Sequence, residues 1–382
     1  MLLNIYNRFP VTFIKGEGSN LFDDKGKAYL DFASGIGVNA IGHAHPLWIE
    51  AVVKQANTLA HVSNLYHTLP AVKLAEKLVH ISGLSGVFFA NSGAESNEGM
   101  IKMARKYSKD SYGSDRHTIV TLEKSFHGRT ITTLAATGQD KLHQYFDPFT
   151  DGFEHVPAND INALKTLNNN ICAVLLEPIL GEGGVLPLDK KYVQAVAKLC
   201  QENDWLLLFD EIQTGIGRTG SWFAFQNFNV KPDAISFAKG IGGGLPLGGF
   251  IVNEKCIDVL GMGDHGTTFG GNPIACTGAL VVLDIVENIL PEVNAKAKLI
   301  VDTLSNIHGL SHIRGAGLMI GATVNKELGS VREIVQELLD NGLITLSAGV
   351  DVLRLLPPLT VTDDEIESGL AIIKEVCQRR LS

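Results

Sequence analysis

LLLFDEIQTGIGRTG, residues 206–220, runs from four apolar residues into an Asp-Glu pair and then into glycines at positions 215, 217 and 220. Two readings compete for it. The G-x-G-x-x-G spacing belongs to dinucleotide-binding turns, which place the first glycine at the strand end, open a helix within the motif, and carry an acid about twenty residues later at the next strand end. Here Asp210 to Thr214 intervene, the following SWFAFQNFNVKPD is aromatic and irregular, and the nearest suitable acid, Asp233, precedes a strand. The acids at the strand end are the stronger chemical candidates. A carboxylate such as Asp210, at a sheet's carboxyl edge and partly withdrawn from water, is costly unless it faces a cation or a strong donor.

The same texture recurs along the chain. GVFFA (86–90), TIVTL (118–122), CAVLLE (172–177), WLLLF (205–209), AISFA (234–238) and GGFIV (248–252) are short apolar runs separated by longer helical patterns. Strands apolar on both faces fit a mostly parallel sheet covered by helices, an α/β architecture whose ligands gather at the carboxyl ends of the strands. Residues 11–32 alternate around DDKGK, as in a β-hairpin. PLWIEAVVKQANTLA and PAVKLAEKLVHIS have helical spacing, and each opens with proline, whose missing N–H has no partner in a first turn. After the helical NPIACTGALVVLDIVENIL the texture changes again. IRGAGLMIGATV, LITLS and VLRLLPPL read as strands, SVREIVQELLDN and DDEIESGLAIIKEVCQRR as helices. This predicts an N-terminal segment (1–45) and a C-terminal segment (291–382) that together form a smaller α+β unit beside a large α/β domain (46–290).

Composition narrows the function. The 382 residues carry 32 Lys and Arg against 41 Asp and Glu, a formal charge of -9, which argues against nucleic acid or an anionic membrane as the main partner. No uninterrupted apolar run reaches the ~20 residues that span a bilayer, and the amino terminus lacks the basic-then-apolar order of a signal peptide. The five cysteines are odd in number and unpaired in spacing, as expected for reduced thiols in the cytoplasm. His43 and His45 in GHAHP tempt a metal reading, but no cysteine or carboxylate cluster follows at ligand spacing, and no metal is expected.

The strand ends supply the chemistry. After GVFFA comes NSGAESNE (91–98): Ser92 with Glu95 fits a capping box, while the free N–H groups of Gly93 and Ala94 would also suit an anion. After TIVTL comes EKSFHGRT, with Phe126, His127 and Arg129; after CAVLL comes EPILGEGG, with Glu177 and Glu182 in a glycine-rich turn. After AISFA stands Lys239, followed by GIGGGLPLGG. A lysine at the end of a buried strand holds its proton less tightly and can condense with a carbonyl. Singly, each has a bland reading as core, cap or surface charge. Together, a lysine nucleophile, an acid one strand away, an aromatic and an anion-binding helix start meet the needs of pyridoxal phosphate.

At this point the chain resembles the class-III pyridoxal-phosphate aminotransferases, nearly end to end. The likeness runs from FPVTFIKGEGSNLFDDKGKAYLDF through NSGAESNE, FHGRT, EPILGEGG, LLLFDEIQTGIGRTG, SFAKGIGGGLPLGG and HGTTFGGNP to RLLPPL. The resemblance implies a fold-type-I homodimer with active sites at the subunit interface. It assigns Lys239 to covalent attachment of the cofactor, Asp210 to the pyridine nitrogen, Gln213 to the ring hydroxyl, Phe126 to the ring face, and Ser92, Gly93 and Ala94 to the phosphate. Thr268 would complete the phosphate site from the neighbouring subunit. Arg129, with Thr267 nearby, would bind a substrate carboxylate, and Glu182 would form a movable gate with Arg354. Residues Gly35 to Val38 would line the substrate mouth, where relatives more often carry alanine than Gly37. The implied substrates are an ω-amino donor of the acetylornithine type and 2-oxoglutarate. Other ω-amino donors, and a nucleotide-dependent oxidoreductase built on residues 215–220, are the alternatives.

Overall fold

A computed structural model describes residues 1–165 and 170–382. Its centre is a seven-stranded sheet, in spatial order 86–90, 248–252, 234–237, 206–210, 171–176, 118–122 and 153–156. Only Gly248–Val252 runs against the others, pairing antiparallel with Ala234–Phe237 and Gly86–Ala90. The six apolar runs all form strands, with bounds shifted by at most one residue, and the Ile171–Leu176 and Leu206–Asp210 strands are buried along their whole length. Covering helices leave neither face of these strands to water, so an alternating pattern is absent. The edge strand Phe153–Val156 was not anticipated, because its FEHV carries two polar residues and lacks an apolar run.

The Leu206–Asp210 and Ala234–Phe237 strands lie side by side and parallel, with Asp210 opposite Ser236. That register places Asp210 and Lys239, the second residue beyond its strand, at the same edge of the sheet. The Gly93–Tyr112 helix follows Gly86–Ala90 directly and brings its amino end to that edge.

Residues 11–32 form a three-strand meander rather than one hairpin. Phe13–Glu17, Asn20–Asp23 and Ala28–Asp31 pair in succession, because a second tight turn at Gly18 precedes the anticipated one at Asp24–Lys27. Leu343–Ile344, from the other end of the chain, adds to the meander parallel to Ala28–Asp31. A separate antiparallel sheet joins Leu310–Ala316, Met319–Val324, Val352–Leu355 and Leu346–Ala348. Leu30 and Phe32 share one buried cluster with Ile366, Leu370 and Ile373 of the last helix, Asp363–Leu381, and with Phe209 of the central sheet.

Pro273–Ile289 is the most apolar long helix, and the helical run to Leu304 has a mean hydropathy of 1.7 over its most apolar window. Its Val282, Leu283 and Val286 are fully buried, and it packs against the Pro46–Thr58 and Leu69–Ser82 helices. The same three-helix contact leaves Leu47, Ile49 and Val53 of Pro46–Thr58 exposed on the outside.

Candidate active site

A cavity of about 440 Å³ opens at the carboxyl edge of the central sheet. Its lining includes Ser92, Gly93, Ala94, Phe126, Arg129, Asp210, Gln213 and Lys239, eight residues singled out from separate stretches of sequence. Val38 from the mouth segment lines it as well.

Asp210 is buried and fully engaged. Its Oδ2 accepts from Asn97 Nδ2 at 2.7 Å and pairs with His127 Nδ1 at 2.8 Å; Oδ1 accepts from the Ile212 N–H at 3.1 Å. Three partners from three segments therefore fix one carboxylate, which satisfies the demand that a buried acid be paired. His127 Nε2 is buried without a hydrogen-bond partner. Sequence reasoning passes over Asn97, and it notes His127 beyond the TIVTL strand without giving it a role. The available signals were a polar residue one turn inside an amphipathic helix and a histidine in the segment beyond the TIVTL strand, and neither shows its partner without the fold.

Lys239 is half-buried and has a positive φ of 47°, at the start of a short 3-10 turn. Burial lowers its pKa; Glu182 opposes the shift, and Arg354 reinforces it. Glu177 is also buried at this edge, and its carboxylate accepts from the N–H groups of Phe126 at 2.8 Å and Gly181 at 3.4 Å. Burial, followed by the neighbouring Asp210 charge, pushes its pKa well above the usual carboxylate range. The EPILGEGG turn is thus not a solvated acidic loop.

At the helix start, Ser92 Oγ accepts from Glu95 N–H at 3.3 Å, but the reciprocal bond of a capping box goes one residue further back, from Asn91 N–H to Glu95 Oε2 at 2.6 Å. A Cβ on Gly93 would lie 2.7 Å from Ile212 Cδ1, so any larger residue there would have to displace the Ile212 side chain that packs on this helix end.

Glu182 and Arg354 form an ion pair at 2.7 Å. Arg354 is 2% exposed, and its Nη1 also donates to Gln213 Oε1 at 3.2 Å, which links the pair to the cavity wall. Burial alone would raise the Glu182 pKa, but the Arg354 guanidinium outweighs it and holds the carboxyl below its ordinary value. Arg129 is exposed, with its guanidinium over the Phe126 ring at 5.6 Å.

Thr267 and Thr268 do not reach the cavity within one chain. Thr268 is exposed, while Thr267 Oγ1 accepts from Asn91 Nδ2 at 3.3 Å and from Gly270 N–H at 3.2 Å. The 265–271 loop stands beside the cavity rather than in its wall, and it does not bring Thr267 to Arg129 among the contacts described. His43, at the tip of the GHAHP turn, pairs with Asp31 at 2.8 Å. The segment after Asp210 contains turns and a short 3-10 helix at Ala224–Phe228 where a dinucleotide motif would have its helix.

The aminotransferase class-III family model matches residues 4–377. The chain belongs to the class-III aminotransferases. Among class-III relatives, the acetylornithine aminotransferase of Haemophilus ducreyi is 50% identical over 374 residues, covering 97% of this chain and 95% of that protein. The succinylornithine transaminase of Yersinia pseudotuberculosis is 43% identical over 390 residues, covering 97% and 94%. The crystal structure of ornithine aminotransferase from Toxoplasma gondii ME49 superposes with a TM-score of 0.94 at 30% identity, over 99% of this chain and 92% of that one.

The cofactor of this class-III aminotransferase is pyridoxal phosphate, and the cavity suits it. An amine of lowered pKa, a buried carboxylate, an aromatic ring and a helix amino end with free N–H groups all line one space of suitable size.

Proposed function

We propose that this enzyme moves the terminal amino group of N2-acetyl-L-ornithine to 2-oxoglutarate, giving N-acetyl-L-glutamate 5-semialdehyde and L-glutamate, a step of arginine biosynthesis. The names of the relatives support the donor. One observation carries the reading: of the two arginines assigned to substrate, Arg129 is free at the cavity wall and Arg354 is already engaged by Glu182.

Pyridoxal phosphate, when bound, supplies a ring that withdraws electrons from the substrate carbon being deprotonated. Lys239 would hold its aldehyde, Asp210 its ring nitrogen, Gln213 its hydroxyl and Phe126 its face. Ser92 and the N–H groups of Gly93 and Ala94 would hold its phosphate. Asn97 and His127 keep Asp210 in one orientation, so the carboxylate pays no reorganisation when charge develops. Once displaced by substrate, the Lys239 amine takes a proton from one carbon and returns it to another, a role suited to its lowered pKa.

The donor has one carboxylate, far from the reacting amine. Arg129 grips it as a bidentate partner and so presents the δ-amine to Lys239. 2-Oxoglutarate has a second carboxylate beside the reacting carbon. Arg354 takes that group once Glu182 releases it, while Arg129 takes the distal one. Val38, which lines the cavity from the mouth segment, offers an apolar wall that suits an acyl group better than the free α-ammonium of ornithine.

We infer a homodimer that completes each site. Leu65, Tyr66, Leu69 and Phe269 are exposed beside the 265–271 loop and the outer face of Pro46–Thr58, a contiguous apolar surface of the kind that marks an interface. Thr268 is exposed on that surface, free to close the partner's phosphate site. The smaller unit built from residues 1–45 and 291–382, and a cytoplasmic setting for five buried free thiols, belong to the same proposal.

The test is a donor panel of acetylornithine, succinylornithine, ornithine and 4-aminobutyrate with 2-oxoglutarate. Acetylornithine should give the highest kcat/KM; equal or higher values for another donor remove the specific assignment. Lys239→Ala should abolish turnover with every donor, and activity in that variant would overturn the catalytic role itself.

A further inference from the structure

Arg218 lies in the loop beyond Gln213 and is 2% exposed, yet among the described residues no carboxylate meets it. Its Nη1 donates to two backbone carbonyls, Leu318 O at 3.0 Å and Pro357 O at 2.5 Å, and its Nη2 is buried without a partner. Burial pushes its pKa down to about 10, with no neighbouring acid to offset the shift. A cation left this way is expensive, and an apolar side chain of similar volume would fill the space at lower cost.

What an apolar side chain would not do is join three separated segments. Arg218 O also accepts from Leu318 N–H at 2.9 Å, and a Cβ on Gly317 would lie 2.4 Å from that oxygen. The guanidinium thus ties the loop after Asp210 to the tight 316–319 turn and to Pro357, three residues beyond Arg354. The loop and the Val352–Leu355 strand are joined a second time by Gln213 and Arg354. The first joint is backbone-anchored and buried; the second is a side-chain contact at the cavity wall.

We propose that Arg218 is a positioning residue that fixes the distance between the Asp210–Gln213 loop and the strand bearing Arg354, so that Arg354 changes partner by side-chain rotation alone. This rests on the reading above, in which only the 2-oxo acid needs Arg354 free. Loosening the joint therefore harms one half-reaction and spares the other. The planar fork that reaches two carbonyls is specific to arginine; lysine keeps the charge without that geometry.

The experiment compares wild type with Arg218→Lys and Arg218→Gln, each saturated with pyridoxal phosphate. Single-turnover rates for acetylornithine and steady-state KM for 2-oxoglutarate are measured together with thermal melting. The expected result is a rise in the 2-oxoglutarate KM on the order of tenfold or more in both variants, with the donor half-reaction within about twofold of wild type. A fall in melting temperature with both half-reactions unchanged, or reduced by the same factor, reduces Arg218 to a fold-stabilising residue and overturns the proposal. Hydrogen exchange on the wild type decides the matter should neither variant fold. The Leu318 amide should stay protected when 2-oxoglutarate is added, and its deprotection would show that the joint itself moves. If Arg354→Ala leaves the 2-oxoglutarate KM unchanged, the substrate reading fails instead, which separates the two.

Discussion

Asp210→Asn separates the electrostatic role of this residue from its structural one. An amide can place its oxygen at only one of the two carboxylate positions. With the oxygen at the Oδ2 position, the bonds from Asn97 and His127 survive and the amide nitrogen faces the Ile212 N–H. The opposite rotamer would confront two donors with a third, so the first prevails. It leaves the Ile212 N–H unsatisfied, costing about 1–3 kcal/mol, which lowers Tm by roughly one to four degrees in a chain of this size. Catalysis should suffer more. Removing one preorganised electrostatic partner of the reacting group costs on the order of 10²–10³ in kcat, because the ring nitrogen no longer faces a negative charge. The assay pairs thermal melting with single-turnover deamination of acetylornithine at saturating pyridoxal phosphate. A folded variant that retains more than a tenth of the wild-type rate would refute the assignment of Asp210 to the ring nitrogen.

Glu182→Ala should leave Arg354 permanently available, so α-carboxylate donors such as glutamate gain relative to acetylornithine; an unchanged ratio of the two kcat/KM values would count against the gate. Leu65→Glu combined with Phe269→Glu should convert the proposed dimer to monomers in sedimentation velocity and weaken cofactor retention, whereas an unaltered sedimentation coefficient would count against the interface proposed here. Glu211 is 1% exposed and burial pushes its pKa to about 7, so the folded chain binds a proton there that the unfolded chain has already lost. The stability this confers is complete below the unfolded pKa of ~4.5 and fades as pH rises through about 7. Glu211→Gln should therefore gain in melting temperature relative to wild type between pH 5 and pH 8, and a difference that stays flat over that range would show that the folded acid does not titrate there.

Much of the fold was legible because its cause is local. Apolar runs of five or six residues, buried on both faces, form strands wherever helical patterns separate them, and six of the seven central strands were found by that signal. Phe153–Val156 escaped because it lies at the sheet's edge, where polar side chains are tolerated. Asp210 and Lys239 were legible for a related reason: a charge at the end of an apolar run is out of place unless something needs it.

Chain order by itself determined which residues stand at strand ends, and so which could bear the chemistry. The tertiary structure alone decided their partners. His127 and Asn97 meet Asp210 from positions 83 and 113 residues away, Arg354 meets Glu182 across 172, and Arg218 reaches Pro357 across 139. Hydrogen bonds are satisfied in space over about 3 Å, while periodicity reports only on neighbours within a turn or a pleat. The residues that do chemistry can be read along the chain, but the residues that hold them in place are known only once it has folded.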